Sequence, residues 1–334
     1  MIGASAGGVD ALQELVAHLP PEFPASVLVV LHVAASGTSV LPKILARRGA
    51  LPAAFAEDGD ELRRGQIYVA PADYHMLVHD GHIQLSQGPR ENGHRPAIDP
   101  LFRSAARAGD GRCIGVVLSG LLDDGASGLR FIKVHGGAAV VQDPADAMFP
   151  SMPRAAMSLT PVDRIASAEE LAAALSELVE EPLTDKARKP VEPTGVVAPD
   201  RALAGYDRVE LEEATHTAEL LDGPPSGLTC PECGGALWEQ EDGKTLRYAC
   251  HVGHAYSVAS LVEEQGRMLE GTLWSAVRAL EERADMHRRL ARRTSGPRSE
   301  SYEMRGREAE GHARALREML TMSGRLSEPA AEAS

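Results

Sequence analysis

The residues best suited to chemistry are a serine near the start of the chain, a histidine after the next apolar run, and a carboxylate much further on. Gly3-Ala4-Ser5-Ala6-Gly7-Gly8 stands just ahead of a helical pattern. Gly-x-Ser-x-Gly between a strand and a helix is a turn that exposes the serine hydroxyl, with N–H groups at the helix N-terminus positioned to stabilise an oxyanion. Alone, the motif leaves three readings open: a nucleophile turn, a phosphate-cradling loop, and a tight turn that simply needs small residues. His32 follows the apolar run Val27 to Leu31, which places an imidazole at the C-terminal end of a strand. Ligands and catalysis gather at that edge of an open parallel sheet. Ile114 to Gly120 then reads as a strand leading into Leu121-Leu122-Asp123-Asp124-Gly125-Ala126. There Asp124 is equally readable as the N-cap of the next helix or as a catalytic group. Together the three strand ends offer a hydroxyl nucleophile, an imidazole to take and return its proton, and a carboxylate to fix the imidazole tautomer. The chain order Ser, His, Asp is not that of α/β-hydrolases. A dinucleotide fold would want an acidic residue where His32 stands.

A second constellation is Cys230-Pro231-Glu232-Cys233, sixteen residues, then Cys250-His251-Val252-Gly253-His254. Cys-x2-Cys offers two thiolates from one knuckle, and a second pair from a later turn completes a tetrahedron. The pattern reads as a structural zinc site formed by Cys230, Cys233, Cys250 and His254, against the alternative of a metal-free knuckle. His254 is preferred to His251 because an adjacent Cys-His pair is awkward for one tetrahedral ion. Four protein ligands close the site, so the metal is structural, and no cofactor is expected for catalysis. Cys113, at the head of a buried strand, reads as a core residue.

The elements that must position these groups are visible as a change of period. Up to about residue 180, apolar runs at Val27 to Val33, Gln66 to Ala70, His82 to Leu85, Ile114 to Ser119 and Ala138 to Gln142 alternate with helical segments. Those segments are Asp10 to Ala17, Val40 to Arg48, Pro100 to Ala108, Ser127 to Val134 and Ala168 to Val179. This predicts an α/β fold with a doubly wound, mainly parallel sheet covered by helices on both faces. Residues 182–227 read as a linker with a short helix around Leu211 to Leu220, and 228–256 as a zinc-ribbon-like module. Val262, Leu269, Leu273, Val277, Leu280 and Ala284 place an apolar stripe on one long helix. A second helix, about Ser301 to Met322, follows Ser295-Gly296-Pro297, so residues 257–325 read as an antiparallel helical hairpin and 326–334 as a disordered tail. Arg288, Arg289, Arg292 and Arg293 read as a solvated helix face rather than a nucleic-acid patch.

Composition narrows the class. The 334 residues are 43% hydrophobic, enough for a full core, and every apolar run is too short to span a bilayer. Lys and Arg total 34 against 48 Asp and Glu, a net charge of −14 shared by both halves. A general nucleic-acid binder needs a basic face that this balance does not supply. Four cysteines and no signal-peptide pattern predict a cytoplasmic protein without disulfides.

Residues 3 to about 180 resemble the catalytic domain of the CheB-type chemotaxis protein-glutamate methylesterases. The matching segments are Ile2 to Gly8, His32, Gly93-His94-Arg95-Pro96-Ala97-Ile98-Asp99-Pro100-Leu101-Phe102, Asp124-Gly125-Ala126, and Gln142-Asp143-Pro144 through Met152-Pro153-Arg154-Ala155-Ala156. The resemblance, over residues 1–181, implies Ser5 as nucleophile, His32 as general base and Asp124 as its orienting partner. It implies hydrolysis of γ-glutamyl methyl esters on chemoreceptors, often alongside glutamine deamidation, with a methyl-accepting receptor or similar signalling protein as partner and a methyltransferase as a second one. Cys-x3-His also resembles the ending of C-terminal modules in receiver-less homologues. The family's receiver domain is not expected, Leu121-Leu122 stand where Met-Gly is common, and only Met1-Ile2 precede the serine loop. The last point predicts either a late start or a missing central strand. His94, in a Gly-rich loop without a strand to position it, is expected to matter less than His32. The alternative function is a non-catalytic adaptor that binds partners through its C-terminal module. The long linker predicts that metal removal would spare Ser5 chemistry on a small ester.

Overall fold

Strands β2 (Val27–Leu31), β7 (Ile114–Val117) and β8 (Ala138–Gln142) form from the unbroken apolar runs, and four three-residue strands join them: β1 (Ile2–Ala4), β3 (Ala53–Phe55), β4 (Ile67–Val69) and β9 (Arg164–Ala166). The computed structural model describes residues 1–34, 39–109, 111–180, 223–242 and 245–323. The sheet order is β3-β4-β2-β1-β7-β8-β9, with every neighbouring pair parallel. Val27, Val29 and Leu31 face a core shared with α1 (Gly8–Ala17), α2 (Leu41–Arg48) and α6 (Leu171–Glu180). Leu28 and Val30 face the opposite core, shared with α3 (Ile98–Ala108), α4 (Ala126–Val134) and α5 (Ser151–Leu159). Both faces being covered is why these strands tolerate no polar alternation.

The central strand is short rather than missing. Ile2–Ala4 pair with Val29–Leu31 on one side, and Ile2-Gly3 with Val116-Val117 on the other. Met1 extends the ladder by accepting from the Val116 amide at 2.9 Å. Ile2 is buried against the α1 layer, so Ile2→Ala would cost about 2–5 kcal/mol.

One expected strand belongs elsewhere. His82 to Leu85 lies in β6 (His82–Ser86), which pairs antiparallel with β5 (His75–His79) in a separate two-stranded sheet. Asp80 and Gly81 connect them with φ of 45° and 78°. Positive φ at both loop residues suits the twist of a two-residue hairpin, so Asp-Gly here signals a hairpin rather than a crossover.

Residues Met1–Leu261 form one compact unit and Val262–Ser334 a second. Within the first, β10 (Pro225–Thr229), β11 (Ala236–Asp242), β12 (Thr245–Cys250) and β13 (Ala255–Ser257) make an antiparallel sheet around Cys230, Leu237, Tyr248, Cys250 and Tyr256. β10 therefore begins inside the stretch read as linker. Most of that stretch, with the helix expected at Leu211 to Leu220 and the tail 326–334, lies outside the described residues.

Helices α7 (Val258–Arg293) and α8 (Pro297–Ser323) follow. Within the second unit, Glu281 pairs with Arg317 and Arg288 with Glu310, so later residues of one helix meet earlier residues of the other, as in an antiparallel hairpin. Val277, Ala284 and Ala291 are buried at seven-residue spacing, as are Ala313 and Leu320. The apolar stripe expected from Val262 is buried only from Val277 onward, for Val262 and Leu269 are 66% and 56% exposed. Periodicity marks an apolar face but does not say how much of it finds a partner. Arg288 and Arg289 pair with Asp285 and Glu310, as befits a solvated face. Among the described residues, no helix is long and apolar enough to cross a membrane.

Candidate active site

The sheet order reverses between β1 and β7, because successive strands are laid down first on one side of β1 and then on the other. The C-terminal edge at such a switch point opens a crevice. Ser5 follows β1, His32 follows β2 and Asp124 follows β7, so all three sequence-derived residues meet at that edge. Backbone bonds from Ser5 N to Ser119 O at 3.0 Å and from His32 N to Ala4 O at 3.1 Å fix the strand ends to one another. Gly120 has to be glycine. A Cβ there would stand 2.9 Å from Ser5 Cβ and 2.0 Å from Met152 Sδ.

His32 Nδ1 lies 3.2 Å from Ser5 Oγ, and His32 Nε2 lies 2.7 Å from Asp124 Oδ2. A carboxylate at Nε2 holds the proton there and leaves the Nδ1 lone pair facing the serine hydroxyl. The His32 and Asp124 side chains are almost wholly shielded from solvent. α1 begins three residues after Ser5, with Gly7 at its N-cap at φ 69°, so the positive end of the helix dipole faces the turn.

Asp124 is held from all sides. Its Oδ2 also accepts from Ile98 N at 2.7 Å, and its Oδ1 accepts from Asp99 N at 3.2 Å, Gly125 N at 3.0 Å and Asn92 Nδ2 at 3.0 Å. Burial alone would raise this carboxyl, but the His32 hydrogen bond and charge and the Ile98 amide hold it well below the usual carboxylate range. Of the two readings open from sequence, capping of α4 falls to another residue. Asp99 Oδ1 accepts from Gly125 N at 3.1 Å and Gly128 N at 2.7 Å, while Asp124 receives the first amides of α3. Burial, reinforced by the Asp124 charge, pushes Asp99 up instead. The two neighbouring carboxyls are thus driven apart, with the charge favoured on Asp124.

Two residues near the triad were not singled out from sequence. Asn92 and Asp99 lie within or beside a recognised segment, but nothing in the sequence shows that they reach Asp124. The His94 ring stacks on His32, with centroids 3.7 Å apart and planes 15° apart, and its loop is closed by reciprocal Glu91–His94 backbone bonds. His94 therefore has a positioning scaffold that the sequence does not reveal. Leu122, where the resemblance would put glycine, has φ 61°, the left-handed region that favours glycine.

Cys230, Cys233, Cys250 and His254 also converge, with their donor atoms all within 4.8 Å of one another. Cys233 Sγ and Cys250 Sγ are 3.6 Å apart, and His254 Nδ1 lies 3.7 Å from Cys230 Sγ and 3.5 Å from Cys250 Sγ. Tetrahedral zinc with bonds of about 2.3 Å to sulfur and about 2.0 Å to nitrogen needs donors spaced in this way. His254 Nε2 meets Glu232 Oε2 at 3.1 Å. A carboxylate on the far nitrogen of a ligating imidazole sets its tautomer. The donor set therefore fits zinc. Cys113 is half-buried, away from this cluster, and donates to Ala105 O at 2.9 Å.

A family model described as CheB methylesterase matches residues 1–175. A protein-glutamate methylesterase/protein-glutamine glutaminase of Anaeromyxobacter dehalogenans is 43% identical over 178 residues, covering 53% of this chain and 52% of that protein. A putative protein of the same description from Leptospira interrogans is 40% identical over 173 residues, covering 52% of this chain and 90% of its own length. The chain thus spans about half of the first relative and most of the second. The crystal structure of the Thermotoga maritima CheB methylesterase catalytic domain superposes with a TM-score of 0.51 at 31% identity, covering 53% of this chain and 96% of that one.

Proposed function

Because the chain belongs to the CheB methylesterase family, we propose that it is a serine hydrolase that removes methyl esters from glutamate side chains of a chemoreceptor or similar signalling protein. Ser5 Oγ attacks the ester carbonyl while His32 Nδ1 takes its proton, and the amides at the start of α1 receive the oxyanion. His32 then returns the proton to the departing methoxide, releasing methanol and leaving an acyl-serine. Water, deprotonated by the same nitrogen, hydrolyses that intermediate to glutamate. Asp124 holds the ring and offsets the imidazolium charge. The same steps on a primary amide would convert glutamine to glutamate, in keeping with the double description of the relatives. The ester consumed must be made by an enzyme of the O-methyltransferase class.

The observation that carries this reading is the relay itself, Ser5 Oγ to His32 Nδ1 at 3.2 Å and His32 Nε2 to Asp124 Oδ2 at 2.7 Å. A non-catalytic adaptor would need neither distance. Methanol release from methyl-labelled receptor membranes tests it: Ser5→Ala should lower the rate by about three orders of magnitude or more, and retention of most of the rate would reject the assignment. We assign Cys230, Cys233, Cys250 and His254 as ligands of one structural zinc. It would tie the knuckle at Cys230 to the turn after β12, with no coordination position left open. Elemental analysis should find one zinc per chain, lost in Cys230→Ser.

A further inference from the structure

The loop ahead of α3 joins the ribbon to the catalytic carboxylate. Asn92 is 3% exposed, with φ 53°. Its Nδ2 donates to Asp124 Oδ1 at 3.0 Å and Asp99 Oδ2 at 3.3 Å, while its Oδ1 accepts from Ser257 N and Ser260 Oγ, both at 2.9 Å. A carboxamide can donate twice and accept twice, so this one is fully used and its orientation is fixed. Turned over, it would set its NH2 against the Ser257 amide and its oxygen against the Asp124 carboxylate. Rotation away would take a donor from Asp124.

Two further links run in parallel. Ser257 Oγ donates to Asp123 Oδ1 at 2.7 Å, on the residue beside Asp124. Glu91, 1% exposed, accepts two bonds from Arg103 of α3, at 2.9 and 2.6 Å, and a third from Arg247 of β12. The backbone closes the joint, for Asn92 N donates to Ala255 O at 2.8 Å and Ala255 N to Arg90 O at 3.3 Å. Ala255 directly follows His254, whose carbonyl accepts from Cys250 N at 3.0 Å. The ligand His254 thus directly precedes β13, whose Ala255 and Ser257 contact Asn92, and Ser260 follows in the first turn of α7.

We propose that the ribbon is a positioning element of the esterase: Ser257 and Ser260 orient the Asn92 amide, Asn92 fixes Asp124, and the Cys230/Cys233/Cys250/His254 knuckle thereby governs turnover at Ser5. This rests on the triad reading above. It also reverses the expectation that metal and catalysis are separable, because the ribbon packs on the residues that hold the catalytic carboxylate.

The test uses the full chain and an N-acylated glutamate γ-methyl ester amide, a substrate too small to need receptor contacts. Ser260→Ala should lower kcat about three- to tenfold and Asn92→Ala about tenfold or more, as expected when a hydrogen bond to a charged group is lost or misdirected. KM should stay within about twofold. Adding Ser260→Ala to Asn92→Ala should change little further, because both act through one amide. Removing zinc with a chelator should lower kcat as far as Asn92→Ala does and speed amide hydrogen exchange over residues 89–99 as well as 228–257, with zinc restoring both. Unchanged kcat in Ser260→Ala and in Ser257→Ala overturns the proposal, as does full additivity with Asn92→Ala. A Ser5→Ala protein that still releases methanol would instead overturn the triad reading, so the two failures are distinguishable.

Discussion

His32 presents Nδ1 to the serine and Nε2 to the aspartate, so each nitrogen has one task. Asp124→Asn would keep the shape but offer an NH2 or a neutral oxygen at Nε2, and the proton could settle on Nδ1, where Ser5 needs a lone pair. The loss of kcat should be about one to two orders of magnitude milder than for Ser5→Ala, measured as methanol release. His94 adds a second constraint through its ring stack on His32. His94→Ala should lower kcat several-fold, and His94→Phe, which keeps a flat ring there, should retain most of the activity. Equal loss in both variants would mean that His94 acts through its nitrogens, as a base in its own right. Ser5 and His32 were legible in the sequence because each directly follows a strand, and Asp124 because it stands in the loop that leads from β7 into α4. Asn92 and Asp99 were not, because their importance comes from contacts with Asp124, Ser257 and Ser260, far away in the chain.

At the scale of elements, the joint between β12 and α3 turns on Glu91. Burial would push its carboxyl up, yet the Arg103 and Arg247 guanidinium groups hold it down at about 2. An acid depressed in the folded state contributes stability that is complete above its unfolded value of about 4.3 and is lost as pH falls toward about 2. The thermal midpoint should therefore fall between about pH 4.5 and 2.5, and Glu91→Gln should flatten that part of the curve. The substitution should also cost about 3–5 kcal/mol at neutral pH, since it leaves two arginines facing a neutral group. A parallel slope in wild type and variant would place the acid sensitivity elsewhere. Longer elements were readable for a physical reason: β2 and β8 are continuous apolar runs, and α1 and α2 show a helical period. β1, β3 and β9 span three residues each, too few to display any period, and α5 carries Pro153 in its first turn. β5 was hidden by histidines at both ends, although Asp80-Gly81 was the turn signal that would have found it.

For the whole molecule, the parallel sheet and the ribbon share one compact unit, while α7 and α8 build most of the other. A chain ending at Glu180 keeps the seven-stranded sheet and both of its helical layers but loses Ser257, Ser260 and Arg247. It should fold, as judged by circular dichroism and a cooperative melt, yet turn over the small ester about tenfold or more slowly than the full chain. Full activity in the short chain would show that the sheet carries catalysis unaided. A chain ending at Leu261 should recover the rate, because every contact from the ribbon and the first turn of α7 to Asn92, Asp123 and Glu91 lies before that point.

The saturated amide of Asn92 also restricts how this sequence can drift. Aspartate there would set an oxygen against the Asp124 carboxylate, glutamine is one methylene too long, and serine is too short to span the gap. Positions 92 and 260 must consequently be inherited as a pair, whereas the donor at 257 is a backbone amide that any residue but proline supplies. A relative in which the ribbon is lost or exchanged should carry a compensating change at 92, and a chimera that joins this sheet to a foreign ribbon should be rescued by substitutions in the loop before α3 rather than at Ser5, His32 or Asp124.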